Sequence, residues 1–404
     1  MGKLQVVVAA LAMAGVAQAV PTIDAKSVTF EQKGAKRAKI TYSLTGAPAI
    51  VTVDIRTNGV SIGAAHFTSL SGDVNKLVTI DGTHTLTWNV YEDWPDCKIT
   101  DESLTAVVTA WSPSYPPDYM AADLSGTKDV SYYVSAEALP GGVSNSLYKT
   151  DKLLMRKIHA CNKTFRMGAP TKELGNDPWT EQPHIVVLTN DFWIGVYPIT
   201  QRQRFLACGN LDGCTCTDRP DSPMRPANGG SFKTLYGDAC HSYATRPSLN
   251  SLLMKMRDVT GLDLDAPTEA QWEFACRAGV GTSLYSGWDI EDVTTSDRLD
   301  AIGWYDGNSD GETHPVGLKA PNAFGLFDLQ GNVAEVVKDG FTDNLPSRNC
   351  VNPLVTDGNG QVFKGGSFAD SPKKCRISQR WNGSAVAWNA ADPSYGARCA
   401  MTIR

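Results

Sequence analysis

The sequence has no surplus of positive charge: 37 Lys and Arg stand against 43 Asp and Glu, a formal net charge of −6. Without such a surplus there is no electrostatic footprint for nucleic acid or for an anionic membrane surface. Beyond the first residues, no apolar run approaches the roughly 18 residues that a transmembrane helix needs. Long helical periodicity is scarce. The six histidines fall in no His-Glu-x-x-His or similar ligand spacing, which argues against a zinc-protease centre. At 42% hydrophobic and 20% charged the chain is neither disordered nor fibrous, and 404 residues suggest two domains.

What is present begins with a secretory pattern over residues 1–19. Lys3 supplies the charge, residues 4–14 are apolar, and Ala17-Gln18-Ala19 offers small residues for cleavage before Val20. The expectation is an exported protein, secreted or held in the periplasm or at the cell surface. Ten cysteines suit that destination, since an even count in an oxidising compartment reads as disulfides of open connectivity. Cys208, Cys214, Cys216, Cys240 and His241 can be drawn as a zinc site, but Cys214-x-Cys216 lacks paired C-x2-C hooks, so bridges in a loop-rich insertion are the better expectation.

From Val28 to Trp111 apolar and polar residues alternate. Ile40, Tyr42 and Leu44 form one such set, Val51, Val53 and Ile55 precede an Asn58-Gly59 turn, and Leu86, Trp88 and Val90 repeat the period. Period-two alternation at this spacing predicts an all-β immunoglobulin-like or fibronectin-like sandwich over 20–112. The prolines between Ser112 and Asp118 open an extended linker, 113–145. A second domain, 146–404, is rich in Gly, Asn, Asp and Trp. It shows a Thr268-x-x-Gln271 capping box starting a helix that runs to Gly279, and a shorter helix after Pro198. Its class is α+β with long loops.

Ordered segments of this second domain carry a resemblance. They are Phe165-Arg166-Met167-Gly168, the run from Phe192 to Thr200, the run from Ala266 to Arg277, Gly325 to Val333, Phe363-Lys364-Gly365-Gly366-Ser367-Phe368, and Gly396-Ala397-Arg398-Cys399. Together they resemble the formylglycine-generating-enzyme or sulfatase-modifying-factor family over about residues 150–404. The resemblance implies a variant of the C-type-lectin-like fold, wrapped around calcium ions, with a groove for an extended peptide. It also implies a candidate reaction: oxidation of a cysteine in sulfatase precursors to formylglycine, with oxygen and a copper ion held by two thiolates.

In that family the thiolates follow the aromatic of the Gly-Gly-Ser-aromatic motif by two and seven residues. Here the aromatic is Phe368, so the candidate catalytic positions are Asp370 and Cys375. A hard carboxylate substitutes poorly for a thiolate on Cu(I). The family's Gly-Asn-Val-Trp-Glu-Trp block reads Gly331-Asn332-Val333-Ala334-Glu335-Val336, and its closing Gly-Phe-Arg reads Gly396-Ala397-Arg398. These departures speak against an unaltered copper oxidase. In an exported chain Cys375 is expected to pair with Cys276, Cys350 or Cys399.

The family's calcium site maps onto the side chains of Asp328 and Glu335 and the carbonyls of Gly331 and Val333. A second acidic loop, with Asp306, Asn308 and Asp310 as ligand candidates, copies the opening of an EF-hand, although its twelfth position is Gly317. The combined expectation is a calcium-stabilised module that binds a peptide, protein or glycan; the alternative is a formylglycine-generating oxidoreductase or a metal-dependent variant using Cys375. Trp381, Asn382, Trp388, Asn389 and Tyr395 also suit a recognition face like that of lectin-like tropism determinants.

Overall fold

The computed structural model describes residues 20–33, 37–95, 104–212, 214–215, 217–229, 232–237, 247–343, 345, 349–383 and 392–403. The secretory pattern at 1–19, Cys97, Cys216, Cys240, His241, Trp388 and Asn389 lie outside the described residues. The chain divides into two compact units, 1–120 with 130–145 and 121–129 with 146–404. No described helix is long and apolar enough to cross a membrane.

In the first unit the alternating segments form strands. Arg37–Thr45 pairs antiparallel with Gly82–Trp88, and Ala49–Thr57 with Leu104–Trp111. Because successive side chains point to opposite faces, Ile40, Tyr42, Leu44, Val51, Ile55, Leu86 and Trp88 turn inward and join one apolar cluster. Asn58 and Gly59, both at positive φ, form the two-residue turn that returns Ala49–Thr57 to Val60–Ser61. The Asp93 carboxylate accepts from Thr68 N, Ser69 N and Trp88 Nε1 at 2.8–2.9 Å, which fixes the end of the Gly82–Trp88 strand.

The expected linker is a point of difference. It is not one extended connector, because two strands interrupt it. These are Tyr119–Asp123 and Val130–Tyr133, and residues 130–145 group with the first unit. The reason is apolar burial: Tyr119, Met120, Ala121, Ala122 and Leu124 are all buried, which an exposed connector does not allow.

Among the described residues the second unit has three small sheets. Lys152–Ile158, Phe192–Gly195 and Ala400–Thr402 pair antiparallel in that order. His184–Leu188 lies between Lys163–Met167 and Cys350–Val351. The third sheet has the order Trp381–Gly383, Gln361–Lys364, Ala334–Gly340, Tyr395–Ala397, with the last pair parallel. Both expected helices form, as Gln201–Cys208 and Glu269–Arg277. Each has a complete capping box, Thr200 with Gln203 and Thr268 with Gln271. A further helix, Leu252–Thr260, is capped by Ser251 and stopped by Gly261.

Loops in this unit are held by buried ion pairs. Arg376 bonds Glu173 at 2.5 Å and Glu181 at 2.8 Å, pinning the 173–181 loop. Arg380 meets Glu269 at 2.6 Å, and Glu273 receives both Lys364 (3.0 Å) and Arg277 (2.8 Å). Arg398 meets Glu335 at 2.7 Å. Each ion is desolvated, so each depends on its partner for compensation.

Candidate functional site

The strand Gln361–Lys364 feeds the Gly365-Gly366-Ser367-Phe368 turn. A Cβ on Gly366, at φ +68°, would lie 2.7 Å from Cys375 Sγ, so glycine there is a consequence of where the thiol packs. Ser367 N and Oγ both donate to Asp370 Oδ2, at 3.0 and 2.6 Å, and Lys374 Nζ donates to Asp370 Oδ1 at 2.9 Å. The Asp370 carbonyl accepts from Asp306 N at 3.1 Å, and Gln330 Nε2 donates to the Cys375 carbonyl at 2.6 Å. The two positions implied by the resemblance are thus brought onto one tight turn.

Their chemistry is not that of a thiolate pair. Cys375 is 0% exposed and belongs to the main apolar cluster. Burial pushes its thiol well above the ordinary range, the carboxylates of Asp370 and Asp306 push it further, and Lys374 offsets only part of this. Cys375 is a free thiol, so the expected bridge to Cys276, Cys350 or Cys399 is not formed. Its sulfur faces the Gly366 backbone and the core. With one protonated sulfur and a carboxylate already held by Lys374 and Ser367, the donor set does not fit Cu(I).

Beside this turn three rings form a shelf. Phe363 and Tyr395 are 4.2 Å apart, Trp381 lies 5.4 Å from Tyr395, and Lys374 Nζ sits 5.3 Å from the Trp381 ring. Phe363 and Tyr395 are buried, while Trp381 is 37% exposed. Burial, with Asp392 and Asp370 nearby, pushes the Tyr395 phenol up. Asn382 pairs with Val362 in the sheet, and its side-chain oxygen is buried with no hydrogen-bond partner.

Ala334 and Val336, where the family has tryptophans, pair with Tyr395 and Ala397. The depression bounded by Ala334, Phe363, Asp370, Lys374 and Trp381 holds about 10 Å³, and the one beside Val336, Gly396 and Ala397 about 20 Å³. Neither has room for more than a water or two. Losing the large aromatics has therefore not opened a deep groove. The face is shallow, and Trp381 is its exposed ring.

The calcium expectation meets a competing cation. Trp272 Nε1 donates to Glu335 Oε2 at 2.7 Å, and Arg398 Nε and Nη2 reach the same carboxylate at 2.7–3.0 Å. The Gly331 carbonyl accepts from Val333 N at 2.9 Å. Asp328 accepts from Gly317 N at 2.6 Å and more distantly from Asn332 Nδ2, and burial raises its pKa to about 6. A divalent ion shared by Asp328, Gly331, Val333 and Glu335 would displace or oppose Arg398. The set does not fit calcium as built.

In the second acidic loop the Asn308 amide is taken up by the fold. Its oxygen accepts from Tyr305 N, and its nitrogen donates to Asp300 Oδ1 and the Gly303 carbonyl. Asp306 is pushed up by burial and by Asp370, and Asp310 is exposed at φ +56°. Among the described residues no group of three or more His, Cys, Asp and Glu side chains is placed to hold a metal ion. Adding a chelator such as EDTA is therefore expected to leave the thermal midpoint within about 1 °C. A drop of about 5 °C or more that calcium restores, read by scanning calorimetry, would overturn the ion-pair account.

Sequence reasoning did not find Arg398, Arg376, Arg380, Glu269 or Glu273 as the polar framework of this site. The spacing Cys375-Arg376-x-x-x-Arg380 was visible, but nothing local marks a charge as buried.

Comparison with known proteins agrees with this architecture. The family model for the sulfatase-modifying factor enzyme 1-like domain matches residues 157–403. The mouse formylglycine-generating enzyme is 32% identical over 145 residues, 33% of this chain and 38% of that protein. The Thermomonospora curvata enzyme is 34% identical over 150 residues, 33% of this chain and 48% of that protein. The chain thus spans less than half the length of either enzyme. Among solved structures, Treponema denticola variable protein 1 shares the fold at a TM-score of 0.50 and 23% identity, over 62% of this chain and 95% of that one. With the motif order, the three small sheets and a family match over more than half of its length, the chain belongs to the sulfatase-modifying-factor family.

Proposed function

We propose that this protein is an exported binding member of the family, recognising a peptide, protein or glycan on the face around Trp381 and lacking the copper oxidase reaction. One observation carries the reading: the only cysteine at the two oxidase positions, Cys375, is sealed in the core, and its thiol is pushed away from the thiolate form. A thiol in that state is neither a good Cu(I) ligand nor a nucleophile. The shelf of Trp381, Tyr395 and Lys374 supports recognition, because a partly exposed tryptophan beside a cation is the type of anchor that dominates interfaces. Export is supported by Lys3 and the apolar run that follows it.

The test is a Cu(I) titration against a competing chelator, with a parallel assay for oxidation of a cysteine peptide copied from a sulfatase precursor. Wild type and Cys375→Ser are expected to bind copper equally weakly and to leave the peptide unoxidised in oxygen. Copper binding that is lost in Cys375→Ser, together with peptide oxidation by wild type, would instead establish the oxidoreductase reading that similarity to the mouse and Thermomonospora enzymes suggests.

A further inference from the structure

The helix Gln201–Cys208 ends on a cysteine, and the chain turns back at once. Gly209 takes the left-handed conformation, φ +77°, with its N–H on the Phe205 carbonyl. Five residues later Cys214 N donates to the Leu211 carbonyl at 2.9 Å. Arg204 lies one helical turn before Cys208, on the same face. Its guanidinium is buried and reaches across the turn, donating through Nη1 to Cys214 Sγ at 3.3 Å and through Nη2 to the Asp212 carbonyl. The Arg204 charge acts on both thiols, bonded to Cys214 and, with Lys255, near Cys208. Both thiols are free and partly exposed in this structure, and Cys208 is close enough to Cys214 to act on it electrostatically.

We propose that Cys208 and Cys214 form a disulfide that locks this loop. Each thiol gives up its proton, the Cys208 Sγ–Cys214 Sγ bond forms, and the electron pair passes to a small-molecule disulfide, which is reduced to two thiols.

The bridge also has a structural consequence. Cys214 leads into Thr215, whose carbonyl accepts from Gln201 Nε2 at 2.9 Å and whose N–H donates to Asn228 Oδ1 at 3.1 Å. Asn228 Nδ2 in turn donates to the Pro393 carbonyl at 2.8 Å, and Gly229 N donates to the Tyr395 carbonyl at 3.1 Å. A covalent tie at Cys214 therefore steadies the brace behind the strand that carries Tyr395.

The experiment equilibrates the full chain with glutathione disulfide, alkylates it without reduction, and cleaves it before Asp191, Asp212 and Asp218 with an aspartate-specific protease. The expected product joins the peptide containing Cys208 to the peptide 212–217 and weighs two hydrogens less than the sum of the two, with fragmentation placing the bond on Cys214 rather than Cys216. Oxidation is also expected to raise the thermal midpoint by about 5 °C, a gain absent from the Cys208→Ser/Cys214→Ser double variant. Alkylated Cys208 in the oxidised sample, or a bond from Cys208 to Cys216 or any other cysteine, overturns the assignment.

Discussion

Replacing Arg398 with methionine is expected to destabilise the second unit by about 3–5 kcal/mol, the range found when one member of a buried ion pair is removed. The arginine is fully buried and bonds four residues at once. It bonds the Glu335 carboxylate, the carbonyls of Gly195 and Val196 at 2.8 and 2.9 Å, and the carbonyl of Phe327 at 2.6 Å. Methionine fills much of the volume but leaves a buried carboxylate uncompensated and takes one donor from each of three carbonyls, of which that of Val196 keeps the Phe327 N–H. Urea unfolding measures the loss. The Arg398→Met/Glu335→Gln double variant is expected to lose less than the sum of its two single variants, because the uncompensated charge is gone and Trp272 keeps an acceptor. Additive losses would mean that Arg398 acts through packing alone.

Raising the pH from 5 to 8 is the second large effect, and stability is expected to fall. Asp339 is buried beneath the Glu269–Arg277 helix, where it accepts from Glu269 N at 2.7 Å and Val355 N at 3.0 Å. Burial, then the charge of Glu269, raises its pKa from 3.8 to about 7, and Arg380 offsets only part. A folded value above the unfolded one means that the protonated side chain favours the folded state. That contribution is complete below pH 3.8 and is lost as pH rises through about 7, some 4 kcal/mol in all at about 1.4 kcal/mol per unit.

Asp328, raised to about 6, adds in the same direction. Glu273 works the opposite way. Burial would raise it, but Lys364 and Arg277 outweigh burial and hold it at about 2, so its contribution is lost as pH falls below 4.5. Together these three place their combined maximum near pH 4, below which Glu273 is lost and above which the two aspartates are lost. Asp339→Asn is expected to flatten the slope between pH 6 and 8 while lowering stability at pH 5, because an amide has one acceptor oxygen for two backbone donors. Denaturant midpoints that are level between pH 5 and 8 in the wild type would refute the assignment.

These effects sit on charges that the sequence displays without ranking them. Glu335 reads equally well as a calcium ligand or as the partner of an arginine; the fold selects the arginine because the parallel pairing of Glu335 with Gly396 brings Arg398 alongside. Asp370 and Cys375 read as a damaged copper site, and the turn does bring them together. That the thiol faces the core was not readable, since a cysteine seven residues after Phe368 has no local mark of its burial. The helix Leu252–Thr260 carried its signal in Ser251, Gly261 and the Leu252-Met256-Thr260 spacing, but it was masked by the loop-rich composition around it.

The sequence by itself determined what depends on neighbours along the chain. Alternation fixed the strands around Ile40, Val51 and Leu86, the capping residues fixed the two helices at Thr200 and Thr268, and the ordered motifs fixed the family. Only the tertiary structure decided which carboxylates meet a cation, which thiol is sealed, and that residues 119–123 and 130–133 form strands within the expected connector. The physical reason is that propensity and periodicity act over a few residues, whereas desolvation and charge pairing depend on groups that only folding brings into contact, such as Arg376 with Glu173 or Arg380 with Glu269.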